Sequence, residues 1–161
     1  MRPGCVFSRR GCYGQRVFRL LLTAFLLGSA VLATACGSQT NTYRSQVDTV
    51  EKQYQPRLKP LQMQLATAIG DRRTDDAADL AGQTAEVLRR CADAVAAVEP
   101  PSHLKTRAAT LVAAYRKLVQ SLQDLKTALH AHQATPINRA ISRYNDARLD
   151  ETSAVAALNS G

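Results

Sequence analysis

LKTRAATLVAAYRKLVQSLQDLKTAL, residues 104 to 129, carries the clearest periodicity in the chain. Leu104, Ala108, Leu111, Tyr115, Leu118, Leu122, Leu125 and Leu129 recur there in alternating steps of four and three without a break. The mean step, about 3.6 residues, is the period of an α-helix and lines these side chains along one face. A seam with this spacing packs against other helices at about 20°. The stretch is therefore the third of four helices, and its neighbours can be read outward from it.

Upstream, Pro100 and Pro101 stop a second helix whose stripe is Leu80, Thr84, Val87, Cys91, Val95 and Val98, widened by Leu88. Asp75, Asp76 and Asp79 suit the positive N-terminal end of that helix, and Thr74 or Asp75 can cap it. Gly70 suits the C-terminal cap of a first helix, with the polar 71–75 segment as the turn. In this first helix Tyr43, Val47, Val50, Tyr54, Leu58, Leu61, Leu65 and Ile69 share a face. Pro56 and Pro60 interrupt it, each removing an amide donor and crowding the preceding turn. The stripe keeps phase through both prolines, which predicts one kinked helix instead of two.

Downstream, Thr135 serves as a cap and Pro136 as the first residue of a fourth helix, with Ile137, Ile141, Tyr144, Ala147, Ala154 and Leu158 on its stripe. Glu151 also falls on that stripe. Four helices joined by short connections, with no competing strand signal, predict an all-α fold: an antiparallel four-helix up-down bundle with a proline-kinked first helix.

The chain begins differently. Five arginines (Arg2, Arg9, Arg10, Arg16, Arg19) and no acid precede LLLTAFLLGSAVLATACGS, residues 20 to 38. The apolar run from Leu20 to Ala35 suits the core of an export signal but is shorter than the roughly 20 residues that span a bilayer. Leu32, Ala33, Thr34, Ala35 and Cys36 resemble the lipobox of bacterial prolipoproteins, with Ala33 where the commonest pattern has leucine. The resemblance implies cleavage before Cys36, a lipid on its sulfur, and a palmitate-type anchor on the extracytoplasmic face of the cell membrane. It divides the chain into a signal peptide (1–35), a lipidated cysteine with a polar tether (36–42) and a helical bundle domain (43–161). Arg9 and Arg10 are also faintly similar to a twin-arginine signal, but a plain basic segment that happens to hold two adjacent arginines is the preferred reading. The competing structure for this segment is an uncleaved single-pass anchor, which also leaves the remainder outside the cytoplasm. The alanine-rich stripes, the Pro100–Pro101 break and the lipobox with its polar tether are together similar to small all-helical envelope lipoproteins of high-GC Gram-positive bacteria.

Of the 161 residues, 21 are Lys or Arg and 13 are Asp or Glu, a formal charge of +8. The five signal arginines carry most of that excess, leaving 16 basic against 13 acidic side chains from Gly37 onward, a net of +3. The longest basic runs there are two residues, so nucleic acid is not an expected partner. Cys91 is the one cysteine that remains after Cys36; on a helical stripe it reads as a small buried apolar side chain.

Candidate chemistry resolves into structural roles. His130 and His132, two apart on a helix, diverge by about 200° and cannot chelate one ion there. Asp75 and Asp79 share a face that could offer oxygens to a cation, but capping and dipole compensation explain them. Arg72 with Arg73, and Arg89 with Arg90, read as solvated faces. No nucleophile elbow, phosphate-cradling loop or paired-cysteine metal knuckle is present. The expectation is a protein that is not an enzyme and uses no metal or cofactor. Two functions fit: a monomeric interaction or scaffold module contacting an envelope protein or wall polymer, or a carrier for a lipid or small apolar ligand.

Overall fold

The structure, a computed structural model, describes residues 38–160. Four α-helices account for most of them: α1 (Ser38–Gly70), α2 (Thr74–Ala96), α3 (Lys105–His130) and α4 (Ala134–Asn159). A 3-10 turn, Ser102–Leu104, leads into α3. No strand occurs among the described residues. Each helix packs against the next in the chain, so α3 has α2 on one side and α4 on the other.

All eight residues of the 104–129 stripe are buried, Leu111 and Leu122 completely. A second buried strip on α3 comprises Ala114, Ser121 and Ala128, spaced seven apart, with Val119 beside it. Two neighbouring helices require two covered faces, and small side chains on the second strip let a helix backbone approach closely. The Ser121 hydroxyl is satisfied by donating to the Leu118 carbonyl at 2.8 Å.

The buried face of α2 is rotated from the one its larger side chains predict. Ala77, Ala78, Ala81, Ala85, Leu88, Ala92 and Val95 are buried, whereas Leu80, Val87 and Val98 are only partly covered. Thr84 and Cys91, also on the expected stripe, are buried, and the Thr84 hydroxyl donates to the Leu80 carbonyl at 2.7 Å. Alanine suits this buried face because the leucines of the facing helix already supply the volume.

The course of α1 is continuous through Pro56 and Pro60. Each proline deprives one carbonyl, those of Lys52 and Pro56, of its amide donor. Both prolines are exposed, so water can reach the freed carbonyls and the helix continues. The core side of α1 is Tyr43, Val47, Leu58, Leu65 and Ala68, with Val50, Tyr54 and Ile69 packed at its margin.

Helix ends differ from expectation at several points. Residues 38–42 form the opening turns of α1 instead of a polar tether, because Thr40 is buried and its hydroxyl meets His103 Nε2 at 2.8 Å. Gly70 is the last residue of α1, and the left-handed position that caps it falls to Arg72, φ 59°. There the Arg73 amide donates to the Ala68 carbonyl at 2.9 Å and the Arg72 amide to the Ile69 carbonyl at 3.2 Å, the pair of bonds that closes a Schellman turn. Neither Thr74 nor Thr135 caps a helix: α2 opens at Thr74 behind Arg73, and α4 at Ala134 behind Gln133. Pro136 becomes the third helical residue, still among the amides that have no partner within a helix.

Cross-helix contacts register the bundle. Arg44 Nε on α1 donates to the Leu158 carbonyl near the end of α4 at 2.9 Å. Lys117 and Asp150 pair at 2.5 Å, and Arg143 and Asp124 at 3.5 Å, joining α3 to α4. Thr74 Oγ1 lies 2.9 Å from His132 Nδ1, joining the start of α2 to the turn after α3.

Leu122→Ala removes a fully buried side chain from the middle of α3 and should cost about 2 to 5 kcal/mol. Met63→Ala, at a 65 % exposed position, should stay within about 0.5 kcal/mol. Chemical denaturation of both variants measures the difference.

Candidate functional site

Around the Tyr115 hydroxyl each helix contributes one polar group that bears on the ionisation of the others. Glu51 comes from α1, Cys91 from α2, Tyr115 from α3 and Glu151 from α4. Tyr115 is buried and donates its hydroxyl to Glu51 Oε1 at 2.5 Å. Both glutamates are half-buried.

Burial raises the Glu51 carboxyl above its ordinary 4.5; the Tyr115 hydrogen bond pulls it down and the Asp48 charge adds to the rise. Glu151 is raised by burial and by the charge of Glu51, against the lowering influence of Arg148. Burial, reinforced by both glutamates, pushes the Cys91 thiol up to about 12 and also raises the Tyr115 phenol. Tyr144, next on α4, is raised by burial and lowered by the charge and hydrogen bond of Arg148. The four groups are thus electrically one site. Burial keeps its thiol and phenol neutral, and the charge of Glu51 disfavours ionisation of Glu151.

The sequence signal for this site was partial. Glu151 is visible as a charge on the α4 stripe. Glu51 also sits at helical spacing, four after Val47 and three before Tyr54, but the longer apolar stripe draws attention past it. That the two meet across the bundle depends on which helices are neighbours.

The other sequence-selected residues fall as follows. Leu32, Ala33, Thr34, Ala35 and Cys36 lie outside the described residues. His130 ends α3, and His132 stands in the turn beyond it at φ 52°, so it does not extend the leucine stripe. The turn also cancels the divergence expected of two positions on one helix. His132 Nε2 comes to 3.4 Å and His130 Nδ1 to 4.0 Å from Asp75 Oδ1, an exposed polar clasp between the ends of two helices. Among the described residues, no three His, Cys, Asp or Glu side chains form a group able to hold a metal ion.

Arg73 pairs with Asp76 at 2.8 Å, while Arg89 and Arg90 both reach Glu86 at 2.9 Å. Hydrogen bonds from those two arginines hold the Glu86 carboxyl down at about 2. These pairs are solvent-exposed and contribute little to stability. Among the described residues no helix is long and apolar enough to cross a membrane.

Two adjoining clefts flank the first half of α1, where it faces the connection between α2 and α3. Their volumes are about 420 Å³ and about 700 Å³. Both open to solvent, and polar side chains make up much of their walls. Comparison of the chain with protein-family models, with curated proteins and with solved structures returns no match.

The raised carboxyls set a pH dependence. The folded state binds protons at Glu51 and Glu151 more tightly than the unfolded chain does, so their contribution to stability falls as pH rises from about 4.5 toward neutrality. Glu51→Gln keeps an acceptor for Tyr115 and removes the charge. It should raise the melting temperature at pH 7 and flatten its fall between pH 5 and 7, as thermal scans across that range would measure.

Cys91, 2 % exposed with a raised thiol pKa, should react with a maleimide only as fast as the domain opens. Labelling followed by mass spectrometry should be slow in buffer and immediate in denaturant.

Proposed function

We propose that this chain is a membrane-anchored extracytoplasmic lipoprotein whose four-helix domain acts as an interaction or scaffold module of the cell envelope. The observation that carries the proposal is the junction between signal and domain. The apolar run ends at Cys36 with small neighbours, and α1 begins at Ser38, two residues later. A lipid on Cys36 would therefore hold the start of α1, and with it the bundle, close to the membrane surface. The domain acts as a monomer and without catalysis: its mid-core acids serve packing and proton balance.

The finer architecture we propose is an up-down-up-down bundle with α1 bent at its prolines. Cross-contacts support it. Thr40 with His103 and Glu51 with Tyr115 advance together along α1 and α3, whereas Lys117 with Asp150 and Asp124 with Arg143 run in opposite senses along α3 and α4. Arg44 near the start of α1 meets Leu158 at the end of α4, as an antiparallel pair requires. The prolines at 56 and 60 are the places where a helix of this length, about 50 Å, would bend.

The carrier function needs an enclosed apolar cavity of roughly 300 Å³ or more. Both clefts beside α1 are open and part-polar, which favours surface contact over transport of an apolar cargo.

Cys36→Ala tests the anchor. In cells fed labelled palmitate the wild type should incorporate label and partition into detergent, and the variant should do neither. Equal labelling of the two would overturn the lipoprotein assignment. An unlabelled wild type that stays in the membrane at full precursor mass would establish the uncleaved single-pass anchor instead.

A further inference from the structure

The clefts beside α1 carry a ligand chemistry of their own. Gln39, Thr42, Gln46 and Thr49 follow one another along α1 at steps of three and four, and all four line the clefts. They form a ladder of carboxamides and hydroxyls about one helical turn apart, some 5.4 Å. Opposite stand Glu99, Pro100 and Pro101 on the connection between α2 and α3. The Thr49 hydroxyl already donates to the Ser45 carbonyl at 2.7 Å, so its oxygen is left as an acceptor.

Tyr43 marks the floor. It is 2 % exposed, it lines the smaller cleft, and among the described residues its hydroxyl has no hydrogen-bond partner. It is nonetheless not one of the fully enclosed, unsatisfied polar atoms, a condition found at Arg44 Nη2. The hydroxyl therefore opens onto the cleft, where an incoming group can satisfy it. Buried hydroxyls are ordinarily paired, and a ligand in the cleft would pair this one.

We propose that this cleft binds a neutral glycan, with the Tyr43 hydroxyl and the Gln39 and Gln46 carboxamides bonding its hydroxyl groups and Glu99 accepting from a vicinal diol. Three features select that ligand class. Carboxamides and hydroxyls donate and accept at once, as sugar hydroxyls do, so each contact can be satisfied in either sense. Among the described residues Glu99 is the one charged side chain lining either cleft, so a phosphate or carboxylate ligand would meet an acid and no cation from them. The shallow, part-polar walls leave too little apolar enclosure for a lipid, while the Pro100 and Pro101 rings offer flat surface to the C–H face of a pyranose.

The proposal deepens the envelope-module function by naming the chemistry of its partner, and it rests on that function only for where the glycan is met. Its test is independent of the anchor. Purified full chain in detergent micelles is titrated calorimetrically with chitotetraose and with maltotetraose as neutral probes. Tetragalacturonate serves as the anionic probe and a proline-rich decapeptide as the protein-like one. At least one neutral tetrasaccharide should bind saturably, more tightly than tetragalacturonate. Tyr43→Phe, which keeps the ring and removes the hydroxyl, should weaken that binding fivefold or more. Glu99→Gln, at an exposed position where folding is not at stake, should weaken it at least threefold, whereas Tyr54→Phe should leave it unchanged. Absence of binding by both neutral probes, tighter binding of the peptide or the anionic glycan, or binding indifferent to Tyr43→Phe and Glu99→Gln would overturn the proposal. Palmitate labelling of Cys36 would be untouched by any of these outcomes.

Discussion

Removal of one continuous leucine face from water is the constraint on which the rest of this structure depends. The stripe from Leu104 to Leu129 spans the whole of α3, and every member is buried. Transfer of a leucine side chain out of water is worth about 1.5 to 3 kcal/mol, far more than any exposed ion pair here. α2 and α4 are held against α3 because they cover it, and alanine makes up much of their buried faces. Short connections then leave the helices little choice of neighbour. The surface pairs, such as Lys117 with Asp150, adjust register within a packing that apolar burial already dictates.

Against that background the polar level at the middle of the bundle is a cost the leucines offset. Glu51 and Glu151 approach one another from α1 and α4 in a region that disfavours charge, moderated by Tyr115 and Arg148. A pair of apolar side chains there would give a simpler core. Polar groups at one level, by contrast, penalise any sliding of α1 along α3 that would part Glu51 from the Tyr115 hydroxyl. The same feature links the compactness of the domain to proton concentration, in the sense that acidification within the mild range favours the closed bundle.

The two ends of the domain differ in kind. Where α1 starts, the 3-10 turn and the last turn of α4 also gather, and proline, glutamine and hydroxyl side chains line open clefts. At the start of α2 and the end of α3, Asp75, Thr74 and the two histidines make a compact exposed clasp. In the proposed setting the first end lies toward the lipid anchor and the clasp toward the periphery, so contacts close to the membrane and far from it would draw on different chemistry.

Sequence alone was enough to read that the described chain is helical, how many helices there are, and that the leucine face of α3 is covered. Periodicity is a local property: residues three and four apart share a side of a helix whatever surrounds it. It also showed that α1 continues past its prolines, since a stripe that keeps phase leaves no room for a second independent helix. The rest follows from how the helices pack. Which face of α2 lies deepest follows from close approach, where alanine outranks larger side chains that a hydropathy stripe counts more heavily. Left-handed caps at Arg72 and His132, in place of a glycine, reflect turns imposed by the helices they join. The meeting of Glu51 with Tyr115, of His132 with Asp75, and of the α1 ladder with Glu99 joins residues some fifty or sixty positions apart. Such pairs are products of packing, and no local pattern encodes them.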